Sequence, residues 1–168
     1  MFQPKIITKE QALQKAKHYC AYQERCHSEV KEKLYSFKLR KAEVEELLSR
    51  LIEENYLNEE RFAIQYAGGK FRMNQWGRVK ITHSLQQKQV SAYCIKMGLK
   101  HIESDQYTNT LHKLAAAKWN ASKGETTLSR KAKTFSYLLQ KGYEAPLVNE
   151  AINQLVKEKL GDDKANSI

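Results

Sequence analysis

A chain of 168 residues with 41% hydrophobic and 29% charged side chains carries the large apolar residues that a core needs, which excludes a disordered polyelectrolyte. Its length fits one ordinary domain or a short array of smaller units sharing a continuous core. The formal net charge of +10 favours polyanions such as nucleic acid, or an acidic protein surface, as partners.

Two prolines and seven glycines are few interruptions, and the dominant Leu, Lys, Glu, Gln and Ala are residues that lose least on entering a helix, so the expected fold is all-α. No apolar run reaches the roughly 18 to 20 residues that span a bilayer, and Met1 to Gln11 lacks the apolar stretch of a secretion signal. A cytoplasmic protein with no membrane contact is expected. Cys20, Cys26 and Cys94 are an odd number and read as free thiols. Cys20, Cys26 and His27 have no second ligand cluster at matching spacing, so no metal and no cofactor is expected.

In chain order, the first amphipathic segment runs from Lys9 to Gln23, with Thr8 and Gln11 spaced as a capping box. A second helix ends near Leu34, and a third carries Val44, Leu48 and Leu51 at helical spacing. Asn58 ahead of Glu59 and Glu60 starts the next amphipathic segment, Glu59 to Phe71. Helices five and six follow, with Ser91 as the cap of the sixth. The seventh segment is Asp105 to Ser122, the stretch from Asn120 to Thr127 reads as a flexible connection, and two helices meet near Gly142, a residue suited to a left-handed helix end. From Gly161 the chain is polar and unpatterned and is expected to fray.

One apolar pattern recurs three times. Leu34, Leu39, Val44, Leu48 and Leu51 are matched by Leu85, Val90, Ile95, Leu99 and Ile102, then by Leu138, Tyr143, Val148, Ile152 and Leu155. The expected architecture is therefore three tandem three-helix repeats, 1–57 with an N-terminal extension, 58–104 and 105–160, followed by a polar tail 161–168. They should pack as an elongated array, with its curvature left open. Gly142 aligns with Lys38 and Gln89, whose turns are expected to close by some other geometry than a left-handed residue. Phe62, Tyr19, Tyr22 and Phe37 read as packing residues.

The middle segment, 58–104, holds 8 basic and 3 acidic residues, the strongest excess in the chain. Under the repeat alignment Arg78 matches Lys131, Lys80 matches Lys133, and Lys88 matches Lys141, whereas the first repeat has His27, Glu29 and Phe37 there. Lys80, Ser84 and Lys88 line one side of an ideal helix, as do Lys133, Tyr137 and Lys141. Such stripes suit phosphate or carboxylate contacts, or are plain solvated faces. The candidate partner-binding or DNA-binding residues are Arg72, Arg78, Lys80, Lys88, Arg130, Lys131, Lys133 and Lys141. Trp76, beside Arg72 and Arg78, is a candidate aromatic anchor, with core packing its alternative.

Tyr56-Leu57-Asn58-Glu59-Glu60-Arg61-Phe62-Ala63 resembles the signature string of the RecX family. Asn74 to Ile81 resembles that family's glycine-then-basic start of the fifth helix, Arg25 to Leu34 the start of the second, and Arg130 to Tyr143 the last repeat. Lys38 departs from the usual glycine. The resemblance, over residues 10 to 157, implies tandem three-helix units, no cofactor, and binding to a RecA recombinase filament with restraint of its activity.

No converging nucleophile and base, carboxylate pair or phosphate loop accompanies the scattered histidines or Gly68-Gly69-Lys70, so the chain reads as a non-enzymatic binding protein, expected to be a monomer. Two readings stay open: a modulator docked along a recombinase filament, with weak and salt-dependent contact to single- or double-stranded DNA, and a stand-alone helical DNA-binding regulator. The second needs base-reading side chains at a helix start, where Ser91-Ala92 and Glu144-Ala145 are poor candidates.

Overall fold

A computed structural model describes residues 6–167, whose regular elements are all helices, with no strand among them. The helices are α1 (Lys9–Tyr22), α2 (His27–Ser36), α3 (Lys41–Glu53), α4 (Glu59–Asn74), α5 (Arg78–Gln87), α6 (Ala92–Lys100), α7 (Ser104–Ala121), α8 (Thr127–Lys141) and α9 (Ala145–Ala165). The caps fall where side-chain chemistry places them. The Thr8 hydroxyl accepts the Gln11 N–H while Gln11 Oε1 accepts the Thr8 N–H. Asn58 Oδ1 accepts the Arg61 N–H and Ser91 Oγ the Cys94 N–H, satisfying donors that a helix start leaves unpaired.

None of the recurring apolar residues is exposed; Leu39, Leu48 and Leu99 are half-buried and the rest buried. Phe62 is buried and Phe37 packs against the core, as their helical spacing implies. Tyr22 is the exception: two residues past Cys20, the last buried residue of α1, it lies off the buried face and is 84% exposed. Beyond Gly161, α9 continues to Ala165 as an exposed helix; the turns already built around Leu155 and its neighbours carry it on through Gly161, Asp162 and Asp163 despite their poor helix propensity.

Two of the three aligned turns also differ from expectation. Lys38, Gln89 and Gly142 all take positive φ, at 64°, 61° and 96°. In the second and third turns the closing bonds are the same pair: Gln89 N–H to Gln86 O and Val90 N–H to Leu85 O, then Gly142 N–H to Leu139 O and Tyr143 N–H to Leu138 O. This is the Schellman closure. A left-handed lysine or glutamine costs about 1 kcal/mol, which the packing of the apolar residues on either side of the turn outweighs.

The chain divides into two compact units whose limits cut through α4 and α5: residues 1–67 with 84–101, and 68–83 with 102–168. The first unit has a core of Ala12, Leu13, Ala16, Val30, Leu34, Val44, Leu47, Leu51 and Leu57. Here the start of α2 packs on the turn between α5 and α6, where Ser28 Oγ donates to the Lys88 carbonyl at 2.9 Å. The second unit buries Phe71, Tyr107, Leu111, Trp119, Leu138, Tyr143 and Val148, with Tyr107 between Phe71 and Tyr143 at centroid distances of 5.8 and 5.2 Å. Here the start of α5 packs on the turn between α8 and α9: Gly77 N–H donates to Lys141 O at 2.8 Å and Val79 N–H to Gly142 O at 2.9 Å. The same docking thus builds both units, one repeat apart.

Candidate functional site

The second unit holds seven of the eight candidate cations and Trp76; Lys88 alone lies in the first. Residues 68–83 carry Lys70, Arg72, Arg78 and Lys80 and no acid. Gly77, immediately before α5, is a packing requirement, because a Cβ there would stand 2.3 Å from the Gly142 carbonyl oxygen.

Most of the candidate cations are engaged by the protein's own groups. Arg78 lies 3.8 Å from the centre of the Tyr107 ring and pairs with Glu144 at 3.1 Å, while its backbone N–H donates to Tyr107 Oη and that hydroxyl donates to Glu144 at 2.5 Å. Burial, reinforced by the bond to Glu144, pushes the Tyr107 phenol well above its ordinary range, so it acts as a permanent donor. Arg130 stacks on Trp119 at 4.2 Å and donates twice to the Trp119 carbonyl. Lys141 Nζ donates to Asn74 O at 3.1 Å, and Lys133 pairs with Glu125.

Lys88 is the most informative case. Its ammonium meets Glu29 at 2.9 Å and stands 5.7 Å from the Tyr66 ring, while Ser84 Oγ bonds Tyr66 Oη. Burial pushes the Glu29 carboxyl up, but the Lys88 ammonium and the Cys26 N–H outweigh it and hold Glu29 below the ordinary carboxylate value. The proposed Lys80–Ser84–Lys88 stripe is therefore not a uniform solvated face: Ser84 and Lys88 are tied to Tyr66 and Glu29 within the first unit. In the alignment Glu29 only marked the first repeat as different; it is the partner that Lys88 requires.

Trp76 is half-buried and its cationic neighbours are Lys70 at 4.8 Å and Lys80 at 4.7 Å from the ring centre, in place of Arg72 and Arg78. Arg72 is exposed and, with Phe71, Gln75, Gln106, Asn109 and Lys113, lines a shallow groove of about 340 Å³ that has no acid in its wall. Lys131 is half-buried, and neither it nor Arg72 has an ion pair among the described residues. Residues that sequence reasoning missed are the acids Glu29 and Glu144 and the ring of Tyr107, each of which claims a cation. No local pattern marks the two acids, because Glu29 and Glu144 lie 59 and 66 residues from the cations they hold.

Among the described residues no three His, Cys, Asp or Glu side chains converge as metal ligands, and no helix is long and apolar enough to cross a membrane. The three cysteines are buried free thiols, and burial raises that of Cys20 to about 11.

Fold and site together define an all-helical tandem-repeat protein whose basic residues chiefly clamp its own helices and leave a small cationic surface on the second unit. Residues 58–99 match the family model described as RecX, second three-helix domain, and residues 105–152 that of RecX, third three-helix domain. The chain belongs to the RecX family. It is 25% identical over 150 residues to the regulatory protein RecX of Bacillus cytotoxicus, covering 89% of this chain and 56% of that one. It is 30% identical over 133 residues to the regulatory protein RecX of Clostridium perfringens, covering 78% and 62%. The chain thus spans less than two thirds of the length of these relatives. The crystal structure of RecX from Lactobacillus salivarius superposes with a TM-score of 0.82 at 21% identity, over 88% of this chain and 96% of that one.

Proposed function

We propose that the chain is a non-enzymatic regulator that binds a RecA recombinase filament, contacts its DNA weakly and in a salt-dependent way, and restrains recombinase activity in DNA repair and recombination. Acting as a cytoplasmic monomer is part of this reading. The observation that carries it is the match of two consecutive three-helix units to those of regulatory proteins named RecX. The acid-free run 68–83, the Arg72 groove and Lys131 supply cations suited to phosphate or carboxylate groups of such a partner. Base reading at helix starts fits poorly, since Glu144 at the start of α9 is held by Arg78 and Tyr107.

The test is the single-stranded-DNA-dependent ATPase of a RecA recombinase titrated with this protein at two salt concentrations. Suppression at amounts well below the recombinase is expected, weakening at the higher salt. No effect at either salt, with tight binding to one duplex sequence instead, would overturn the filament reading in favour of a stand-alone DNA-binding regulator. Arg72→Glu with Lys131→Glu is the variant to pair with it, because Arg78 is part of the fold.

A further inference from the structure

We infer that the turn between α2 and α3, residues 36–41, is a docking site for the N-terminal end of a partner protein's helix, in the way the chain's two other turns receive its own helices; the inference rests on the filament reading above for the identity of that partner. At the α5–α6 turn the docked element is the start of α2, and at the α8–α9 turn it is the start of α5. In each case the residue before the left-handed position is a lysine whose carbonyl accepts a donor from the incoming helix, from Ser28 at Lys88 and from Gly77 at Lys141. Each lysine's ammonium then reaches back to an acceptor on the docked segment, Glu29 or the Asn74 carbonyl. The arrangement sets the carbonyl-rich end of one helix against the N–H-rich end of another, opposite poles of the helix dipole.

The α2–α3 turn shares the left-handed position and one of the two closing bonds, with Lys38 at φ 64° and its N–H bonded to Tyr35 O. Among the described residues nothing donates to the Phe37 or Lys38 carbonyl, so this turn alone of the three has no helix docked on it. Its chemistry specifies what it takes. Phe37, half-buried against the core of the first unit, stands where Lys88 and Lys141 stand, so the incoming helix presents an apolar side chain to its remaining exposed edge instead of a carboxylate or carbonyl. Lys38 and Arg40 are exposed around it with no ion pair among the described residues, while Lys41 pairs with Glu45 at 3.8 Å, and the two uncommitted cations suit a helix with acidic residues in its first turn.

A second copy of this chain does not fit. Its one uncommitted helix start of this kind is that of α8, which begins at Thr127, a turn earlier than the starts of α2 and α5 align. There the Arg130 N–H, the counterpart of the Gly77 donor, is already bonded to Thr126 O. Arg130, Lys131 and Lys133 would also face Lys38, Arg40 and Lys41.

The test uses the full chain and a recombinase filament on single-stranded DNA. Phe37→Lys installs the residue that the other two turns already carry, and because Phe37 also packs against the core, the melting temperature reports the loss of that packing separately from the loss of binding. The expected result is filament affinity reduced about tenfold, the scale of one lost aromatic contact. Hydrogen exchange of wild-type protein should slow over residues 36–42 on filament binding. Wild-type affinity in Phe37→Lys, together with unchanged exchange at 36–42 in a chain that does bind the filament, would overturn the docking site and leave the proposed function standing. A wild-type chain that does not bind the filament at all would overturn both.

Discussion

Trp76 donates its backbone N–H to the Lys70 carbonyl at 3.2 Å while the Lys70 ammonium stands 4.8 Å from the Trp76 ring centre. The relationship is an inverted copy of one 51 residues earlier, where Arg25 Nε donates to the Tyr19 carbonyl and the guanidinium lies 3.8 Å from the Tyr19 ring. Arg130 and Trp119 repeat it in the third position across a longer loop. Each three-helix unit closes its first loop with one cation, one ring and one carbonyl, and only which residue supplies the ring changes. Trp76→Ala is therefore expected to lower stability by about 2 kcal/mol, with Trp76→Phe retaining most of it, measured by urea unfolding.

The turn residues separate two kinds of left-handed position. Gln89→Gly removes side-chain strain at φ 61° without touching a neighbour and should stabilise by about 0.5 to 1 kcal/mol. Gly142→Ala should destabilise by more than about 2 kcal/mol, because its Cβ would meet Lys80 Cβ at 2.3 Å and Lys80 N at 2.6 Å in addition to the strain at φ 96°. Thermal melts of the two variants should move in opposite directions.

Gly69 sits inside α4, and a Cβ there meets nothing within 4 Å. Gly69→Ala is expected to raise stability by roughly 0.5 to 1 kcal/mol through helix propensity alone. Gly77→Ala, eight residues further along the chain, should instead be severely destabilising, since the obstructing atoms of Gly142 and Tyr143 are backbone. A chemical-denaturation midpoint for each checks the contrast.

The Glu29–Lys88 pair makes a pH signature. Glu29 is held below its ordinary value of 4.5, so its contribution is present above that pH and is lost as pH falls through the lower, folded value. Lys88 is raised above 10.5, chiefly by its bond to Glu29, so its contribution is present below that pH and is lost as pH rises through the folded value. The stability difference between wild type and Glu29→Gln should be flat near neutral pH and shrink toward zero in acid. A difference that stays constant down to pH 3, roughly, would show that the pair is not coupled to folding.

The helical class, the threefold spacing, the caps at Thr8, Asn58 and Ser91 and the apolar core were legible in the sequence because each depends on residues within a few turns of one another. Periodicity and capping are local, so composition and spacing express them directly. Which cations would be available for a partner was decided only by tertiary structure. Lys88 finds Glu29 at a separation of 59 residues and Arg78 finds Glu144 at 66, and the alignment of lysines with lysines carried no information about the acids opposite them. The left-handed turns at Lys38 and Gln89 belong to the same class, because side chains that rarely adopt that backbone hold it here under the demand of the packing on either side. The limits of the two compact units follow from the same cause: a helix start from one repeat docks on a turn of the next, and long-range pairing of that kind leaves no periodic trace in the chain.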